Sequence, residues 1–295
     1  MNLRLSLVFI TVIPGLFACQ QAPAVHKCVY HHKKIRKAVA VTMPAQPMPD
    51  SVCIAATGDI MLGTSYPDKT TLPPDGAKSS FKNVAGELQN ADVVFGNLEG
   101  TLLDTGAPAN YKMHLLSKAY LFRMPQNYGN VLKAAGFNVL SLANNHIGDF
   151  GRTSTMKVLD SLGINYGGQL AHPAAIFKIK GVTFGFCAFA PNAQALPIRD
   201  LKNAAELIRK LKQRCDIVIV SFHGGGEGVA FQHVPMVEES FSREKRGNVR
   251  AFAHTAIDAG ADIILGNGPH VCRAMELYKN RLIAYSLVIF ALIKA

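Results

Sequence analysis

Five runs of apolar, largely β-branched residues each break off into a small polar cluster. Residues 52–57 end in Gly58-Asp59, and residues 93–95 lead into Gly96-Asn97-Leu98-Glu99-Gly100. Residues 138–142 lead into Ala143-Asn144-Asn145-His146-Ile147-Gly148-Asp149, and residues 217–220 into Phe222-His223-Gly224-Gly225-Gly226-Glu227. The last run, 262–265, opens Gly266-Asn267-Gly268-Pro269-His270. Short apolar runs bounded by Gly and Asn read as buried strands. In open α/β sheets, ligands bind outside the carboxyl ends of the strands. Asp59, Glu99, Asn145, His146, His223 and His270 are therefore expected to converge on one crevice. Taken singly, each cluster reads as well as a turn, a helix N-cap or an Asx-bonded loop. Only their joint occurrence at successive strand ends points to a site.

Between these runs the pattern is helical. Apolar residues recur on one face over 81–89, 125–135 begins with Pro at a helix start, and 152–162 is closed by Gly163. A long amphipathic helix is expected over 198–213 and another helix over 248–259, ended by Gly260. Two hairpins are expected, 176–179 with 182–189 across Lys180-Gly181, and 275–278 with 281–285 across Lys279-Asn280. Residues 101–120 read as a polar loop over the site. Strands alternating with helices imply a mainly parallel sheet covered on both faces, with hairpins at its edge. With 295 residues, 49% of them apolar and 17% charged, the chain can build a sizeable α/β core.

The N-terminal residues have a different character. Arg4, an apolar stretch from Leu5 to Phe17, and Ala18-Cys19 fit a secretory targeting segment over 1–19. The Cys directly after the small residue resembles a bacterial lipobox, which makes Cys19 the expected lipidation site. The stretch is short for a transmembrane helix. Residues 20–50 carry Pro23, Pro44, Pro47 and Pro49 around the basic run 31–37, and read as a tether that can touch anionic headgroups. His26, Cys28, His31 and His32 have soft-ligand composition but no second pair at structural-zinc spacing. The five cysteines left after Cys19 are an odd number, which argues against a complete disulfide framework, and Cys53 and Cys187 sit in apolar runs as small core residues. The net charge of +11 suits an anionic polymer or membrane. No zinc finger, RNA-recognition motif or dense Arg run accompanies it, so nucleic acid is not an expected partner.

Thr57 to Gly63, Gly96 to Gly100, Leu142 to His146, His223 to Glu227, Gly260 to His270 and Glu276 to Leu287 together resemble the CapA family, the capsule-synthesis proteins linked to poly-γ-glutamate. The likeness runs from about residue 52 to 287. That family is similar in turn to calcineurin-like metallophosphoesterases. The resemblance implies a four-layer α/β/β/α sandwich over 51–295, short of its last strands at the C-terminus. It also implies a divalent metal (manganese, zinc or iron, as one or two ions) held by Asp59, Glu99, Asn145, His223 and His270, with His146 protonating the leaving group. Asn97, Asn144, Gly224, Gly225, Glu227 and Asn267 are the candidates for substrate contact, the glycines because backbone N–H groups there can approach an oxyanion.

The chain departs from the metallophosphoesterase pattern at three places. Met61 stands where a His ligand is usual, Asn267 where the last motif usually has His, and Ser286-Leu-Val-Ile-Phe290 where Ser-Leu-Gly-Asn-Phe is usual. A thioether is a poor ligand for a hard divalent ion. The implied function is synthesis, release or anchoring of an anionic capsular polymer by metal-assisted hydrolysis or transfer. The protein would sit in the bacterial envelope as a lipoprotein on the periplasmic side of a membrane, with a membrane polymer synthase as a further partner. Two other readings stay open: a non-catalytic subunit that binds the polymer or its synthase, and a metallophosphoesterase acting on another substrate. No G-x-S-x-G elbow is present, which disfavours serine-hydrolase chemistry.

Overall fold

The structure is a computed structural model and describes residues 4–9, 51–111 and 120–292. In chain order, the first half contains β1 (Arg4–Phe9), β2 (Ser51–Met61), α1 (Ala85–Gln89), β3 (Val93–Leu98), β4 (Thr101–Leu102), β5 (Arg123–Met124), α2 (Tyr128–Ala135), β6 (Val139–Ser141), α3 (Thr153–Leu162) and β7 (Asn165–Gly167). The second half contains β8 (Ala174–Ile179), β9 (Val182–Phe189), α4 (Leu201–Lys212), β10 (Ile217–His223), β11 (Glu239–Phe241), β12 (Glu244–Gly247), α5 (Val249–Asp258), β13 (Ile263–Asn267), β14 (Met275–Tyr278), β15 (Arg281–Ala284) and β16 (Ile289–Leu292).

The strands form two main sheets. One runs β1-β2-β3-β6-β7, all parallel, with β16 also paired to β2. The other runs β14-β15-β13-β10-β9-β8, parallel in its centre and antiparallel at both edges. Alternation along the strands sorts the side chains into layers. In β2, Val52, Ile54 and Ala56 join Phe95, Val139, Phe184, Phe186, Ile219 and Leu265 in the core between the sheets. Ala55 and Ile60 turn the other way, toward Leu88, Leu132 and Leu159 of α1, α2 and α3. In β10, Ile217 and Ile219 face the first sheet, while Val218, Val220 and Phe222 pack with Ala204, Ile208 and Leu211 of α4 and with Phe252 and Ala256 of α5. Each fully buried Leu, Ile or Phe contributes about 1.5–3 kcal/mol, so both interfaces are strongly driven.

The result is a four-layer α/β/β/α sandwich, as the family resemblance implies. A single sheet with helices on both faces, as the strand–helix alternation suggests, is not what forms. Strands buried on both faces look the same in sequence whether the second cover is a helix or another sheet. The two expected hairpins do form. Lys180 and Gly181, at φ of 49° and 83°, and Lys279 and Asn280, at 49° and 59°, make two-residue turns with both central residues left-handed. Residues Arg4–Phe9, inside the expected targeting segment, lie parallel to β2. Cys19, the 20–50 tether with its His and Cys cluster, and residues 112–119 of the expected loop lie outside the described residues. No helix among the described residues is long and apolar enough to cross a membrane.

The departure at 286–290 occupies the strand edge beside Asp59. The Asp59 N–H donates to the Val288 carbonyl at 2.9 Å, Ile289 pairs with Asp59, and Phe290 stacks on Phe81 at 5.9 Å between ring centroids. A Cβ on Gly58 would lie 1.6 Å from the Val288 carbonyl oxygen, so only glycine allows this approach. Val288 itself is left-handed, at φ 65°. That region costs an ordinary L-residue about 1–2 kcal/mol and suits a β-branched one least. Val288→Gly removes that strain, against roughly 0.5–1 kcal/mol for glycine's greater freedom in the unfolded chain. The substitution is expected to raise stability by up to about 1 kcal/mol, measured as a higher urea midpoint. An unchanged or lower midpoint would show that the Val288 side chain stabilises more than its backbone costs.

Candidate metal centre

The two sheets bring their carboxyl-terminal ends to one place. Asp59 lies near the end of β2, where the ladder to β3 slips between Ala56 and Asp59. Such an irregularity re-aims a side chain. Asn97 is its ladder partner in β3, and Glu99 follows directly. From the second sheet, His223 closes β10 opposite Asn267 of β13. His270 follows in a left-handed turn, at φ 55°.

Asp59, Glu99 and His270 each offer a ligand atom within 4.8 Å of the others. His270 Nε2 is 3.4 Å from Asp59 Oδ2 and 3.8 Å from Glu99 Oε2. His223 Nε2 is 4.0 Å from Glu99 Oε1. Asp59 Oδ2, His223 Nε2 and His270 Nε2 are buried atoms with no hydrogen-bond partner. Buried polar groups are rarely left unpaired. Two carboxylates and an imidazole converging with unsatisfied atoms fit a divalent cation in chemistry as well as spacing. Met61 is fully buried and takes no part, because its Sδ accepts the Gly63 N–H at 3.1 Å.

Beneath the cluster runs a chain of side-chain amides. Asn144 Oδ1 accepts the backbone N–H groups of His146 and Ile147, at 3.0 and 2.8 Å. Its Nδ2 donates to the Leu98 carbonyl at 2.8 Å and to Asn97 Oδ1 at 3.1 Å. Asn97 Nδ2 donates to Asp59 Oδ1 at 2.7 Å and faces His223 Nδ1 at 3.2 Å. Asn97 and Asn144, expected to touch substrate, are thus buried and engaged with the protein.

The Gly224–Gly226 turn is likewise committed. Gly224 N–H donates to the Asn267 carbonyl, Gly225 N–H to the Arg246 carbonyl and Gly226 N–H to Glu239 Oε1, each at 3.0 Å. The expectation that Gly224 and Gly225 present N–H groups to an oxyanion fails for that reason. Two buried arginines hold the turn. Arg246 donates to the Gly225 carbonyl at 3.1 Å and reaches Glu244 at 2.9 Å and Glu227 at 3.5 Å. Arg273 pairs with both Glu239 oxygens, at 3.0 and 2.7 Å, and donates to the Gly226 carbonyl at 3.1 Å. Glu227 is therefore tied to Arg246. Asn267 donates through Nδ2 to Ser221 Oγ at 3.2 Å, while its buried Oδ1 has no partner. Sequence reasoning missed Arg246, Arg273 and Glu239, because charged residues in a loop ordinarily read as solvent-exposed.

His146 stands at the edge of the site, with its side chain 14% exposed. Its Nδ1 lies 2.8 Å from Asp149 Oδ2, which also accepts the Phe122 N–H at 2.9 Å. Phe122 packs on the imidazole with 4.2 Å between ring centroids. An Nδ1–H bound to a carboxylate leaves Nε2 as the nitrogen that exchanges a proton. Asp149 belongs to the motif read in the sequence, but its pairing with His146 depends on the turn that follows β6. Asn145, half-buried, precedes His146 in the same turn.

Burial is the main force on the ionisable groups. It pushes Glu99 well above the usual carboxylate range, reinforced by Asp59 and Glu227 and opposed by Arg246. It also raises Asp59, against the pull of His270 and the hydrogen bonds from Asn97 and Gly268. His223 is held well below its usual value by burial, with Arg246, His270 and His146 adding to the effect.

Residues 53–290 match the family model described as bacterial capsule synthesis protein PGA_cap. The chain is 29% identical over 264 residues to the capsule biosynthesis protein CapA of Bacillus anthracis, covering 81% of this chain and 59% of that protein. It is 30% identical over 258 residues to the PGA biosynthesis protein CapA of Bacillus subtilis (strain 168), covering 81% of this chain and 62% of that one. The chain thus spans about three fifths of the length of these relatives. Among solved structures, a 5'-nucleotidase-like protein from Staphylococcus aureus superposes with a TM-score of 0.46 and 15% identity, over 78% of this chain and 47% of that chain. That likeness is too distant to assign function, and the layer order rests on this chain's own strands.

The raised carboxylates give the metal-free protein an unusual pH dependence. A carboxyl whose folded pKa is raised contributes stability that is full below its unfolded value, about 4, and is lost as pH rises through the folded value. Metal-free protein should therefore lose stability through Asp59 and Glu99 as pH rises above about 4 and through their raised folded values. Glu99→Gln should raise metal-free stability near neutrality by about 1 kcal/mol or more, with a smaller gain in mild acid. Added zinc or manganese should stabilise the wild type and not the variant. Urea titrations at both pH values, with chelator or metal, check this. Equal stability of the two chains at neutral pH would show that Glu99 carries no such strain.

Proposed function

Because the chain belongs to the PGA_cap family of bacterial capsule synthesis proteins, we propose that it acts on an anionic capsular polymer of the poly-γ-glutamate class by metal-assisted hydrolysis or transfer. The observation that carries this reading is the convergence of Asp59, Glu99 and His270 within 4.8 Å. A divalent ion bound there supplies Lewis acidity toward an acyl or phosphoryl oxygen and acidifies water.

The remaining work belongs to the chain's own residues. Asn97 holds Asp59 by donating to Oδ1, which leaves Oδ2 toward the cluster. Asp149 orients His146 through Nδ1, so Nε2 can deliver a proton to a leaving group. Arg246 and Arg273 fix the turn after His223 and keep that wall of the site rigid. The net charge of +11 favours a polyanionic substrate. Lipidation at Cys19 would place the domain in the envelope, at the membrane where a polymer synthase works. A second reading, a subunit that holds the polymer without cleaving it, draws support from Met61, a thioether where a His ligand is usual, whose sulfur accepts the Gly63 N–H.

The test is elemental analysis of the purified chain together with chain-length analysis of poly-γ-glutamate after incubation. Wild type should carry a divalent metal and shorten or transfer the polymer. Asp59→Ala should lose both properties. His146→Ala should keep the metal and slow turnover by roughly 100- to 10,000-fold. Binding of polymer without any change in its length, by metal-loaded wild type, would leave the holding subunit as the account.

A further inference from the structure

We propose that the Asn144–Asn97 amide relay locks His223 in the tautomer with its proton on Nε2, so that in this chain His223 is a fixed N–H donor beside Glu99 and not a metal ligand. The inference concerns the same site as the proposed function, but the lock itself stands on hydrogen bonds that need no metal.

The N–H groups of His146 and Ile147 can only donate, so the Asn144 atom that meets them, at 3.0 and 2.8 Å, must be the oxygen. The Asn144 nitrogen then has two protons to give, and the Leu98 carbonyl and Asn97 take them, at 2.8 and 3.1 Å. The Asn97 atom facing Asn144 must therefore be its oxygen. That leaves the Asn97 nitrogen with two protons, one directed to Asp59 Oδ1 at 2.7 Å and one to His223 Nδ1 at 3.2 Å. Flipping either amide would set like against like at several contacts at once. His223 Nδ1 must accept, so it carries no proton. An imidazole unprotonated at Nδ1 carries its proton on Nε2, short of becoming an imidazolate.

A ligating His normally binds through one nitrogen while the other donates its N–H to an acceptor. Here the other nitrogen meets a donor, the reverse of that arrangement. His223 is completely buried, and its Nε2 has no hydrogen-bond partner, lying 4.0 Å from Glu99 Oε1. Gly268 seals the same edge of the ring. A Cβ there would stand 3.1 Å from both Nε2 and Cδ2 of His223, and the residue is left-handed at φ 103°. The Nε2–H is thus left facing the Glu99 carboxylate, and His223 acts as a positioning residue. The trio of Asp59, Glu99 and His270 remains as the ion-binding set. One residue sets this outcome. An aspartate at 97 could accept from Nδ1–H, free the Nε2 lone pair and add a carboxylate.

Long-range proton–nitrogen NMR of the nitrogen-labelled full chain reads each imidazole tautomer, with the His223 signals identified by their loss in His223→Gln. In metal-free wild type, His223 should show Nε2–H with Nδ1 as acceptor. Zinc should shift the His270 nitrogens and leave that pattern in place. Asn97→Asp should move the proton to Nδ1, and zinc should then shift His223 as well and bind in greater amount per chain. Asn97→Ala, which removes the donor, should release a mixture of tautomers. Nδ1–H on His223 in metal-free wild type would overturn the proposal, as would zinc coordination by His223 in the wild type. If no form of the chain binds zinc, the metal reading fails, while the metal-free tautomer still decides the relay.

Discussion

Two buried carboxylates held close together set the terms for the rest of this molecule. Asp59 and Glu99 are 1% and 5% exposed, and burial together with repulsion from neighbouring carboxylates makes their ionised forms costly. An apolar sandwich does not tolerate that arrangement unless something offsets the charge. The compensations are visible. Asn97 donates to Asp59, His270 approaches both carboxylates, and Arg246 acts on Glu99 from beneath. None of these closes the account for Asp59 Oδ2, which faces the cluster without a hydrogen bond. That unpaired atom fits the cation-binding role proposed for Asp59, Glu99 and His270.

Rigidity around this point comes from buried polar groups as much as from apolar packing. The Arg273–Glu239 pair and Arg246 clamp the glycine turn through its carbonyls. The two asparagines link the end of β3 to the turn after β6. The asparagine amides in these links each have a defined donor and acceptor role. A change at one position is therefore expected to alter proton placement at the next, rather than simply loosen a contact. The strained Val288 adds a local cost at the same rim, where its carbonyl holds the Asp59 N–H.

Much of the fold was legible because strand ends were marked by Gly, Asn and His after apolar runs, and because both two-residue turns carried suitable residues. Helices ended at Gly136 and Gly163, both left-handed. The division into two sheets was not legible from the runs alone, since Val52 and Ala55 look equally apolar whichever layer they enter. At the site, the residues brought together were found from their positions at strand ends. Their roles were less accessible. Asn97, Asn144, Gly224 and Gly225 looked free to meet a substrate, yet their hydrogen bonds are already engaged within the protein. Arg246, Arg273 and Glu239 lay in a segment without periodicity, and only tertiary packing buries them.

The sequence by itself determined the order of the central strands and main helices, the hairpin turns and the set of polar residues delivered to the sheet ends, while the short strands β4, β5, β7, β11 and β12 carried no such signal. Those properties are local: the period of apolar residues and the backbone freedom of Gly and Asn decide them. The tertiary structure alone decided which of the delivered residues face one another, which carboxylates share a dry space, and which nitrogen of His223 meets the Asn97 amide. Those outcomes depend on two sheets meeting face to face, and proximity between atoms distant along the chain is not written in the spacing of either segment.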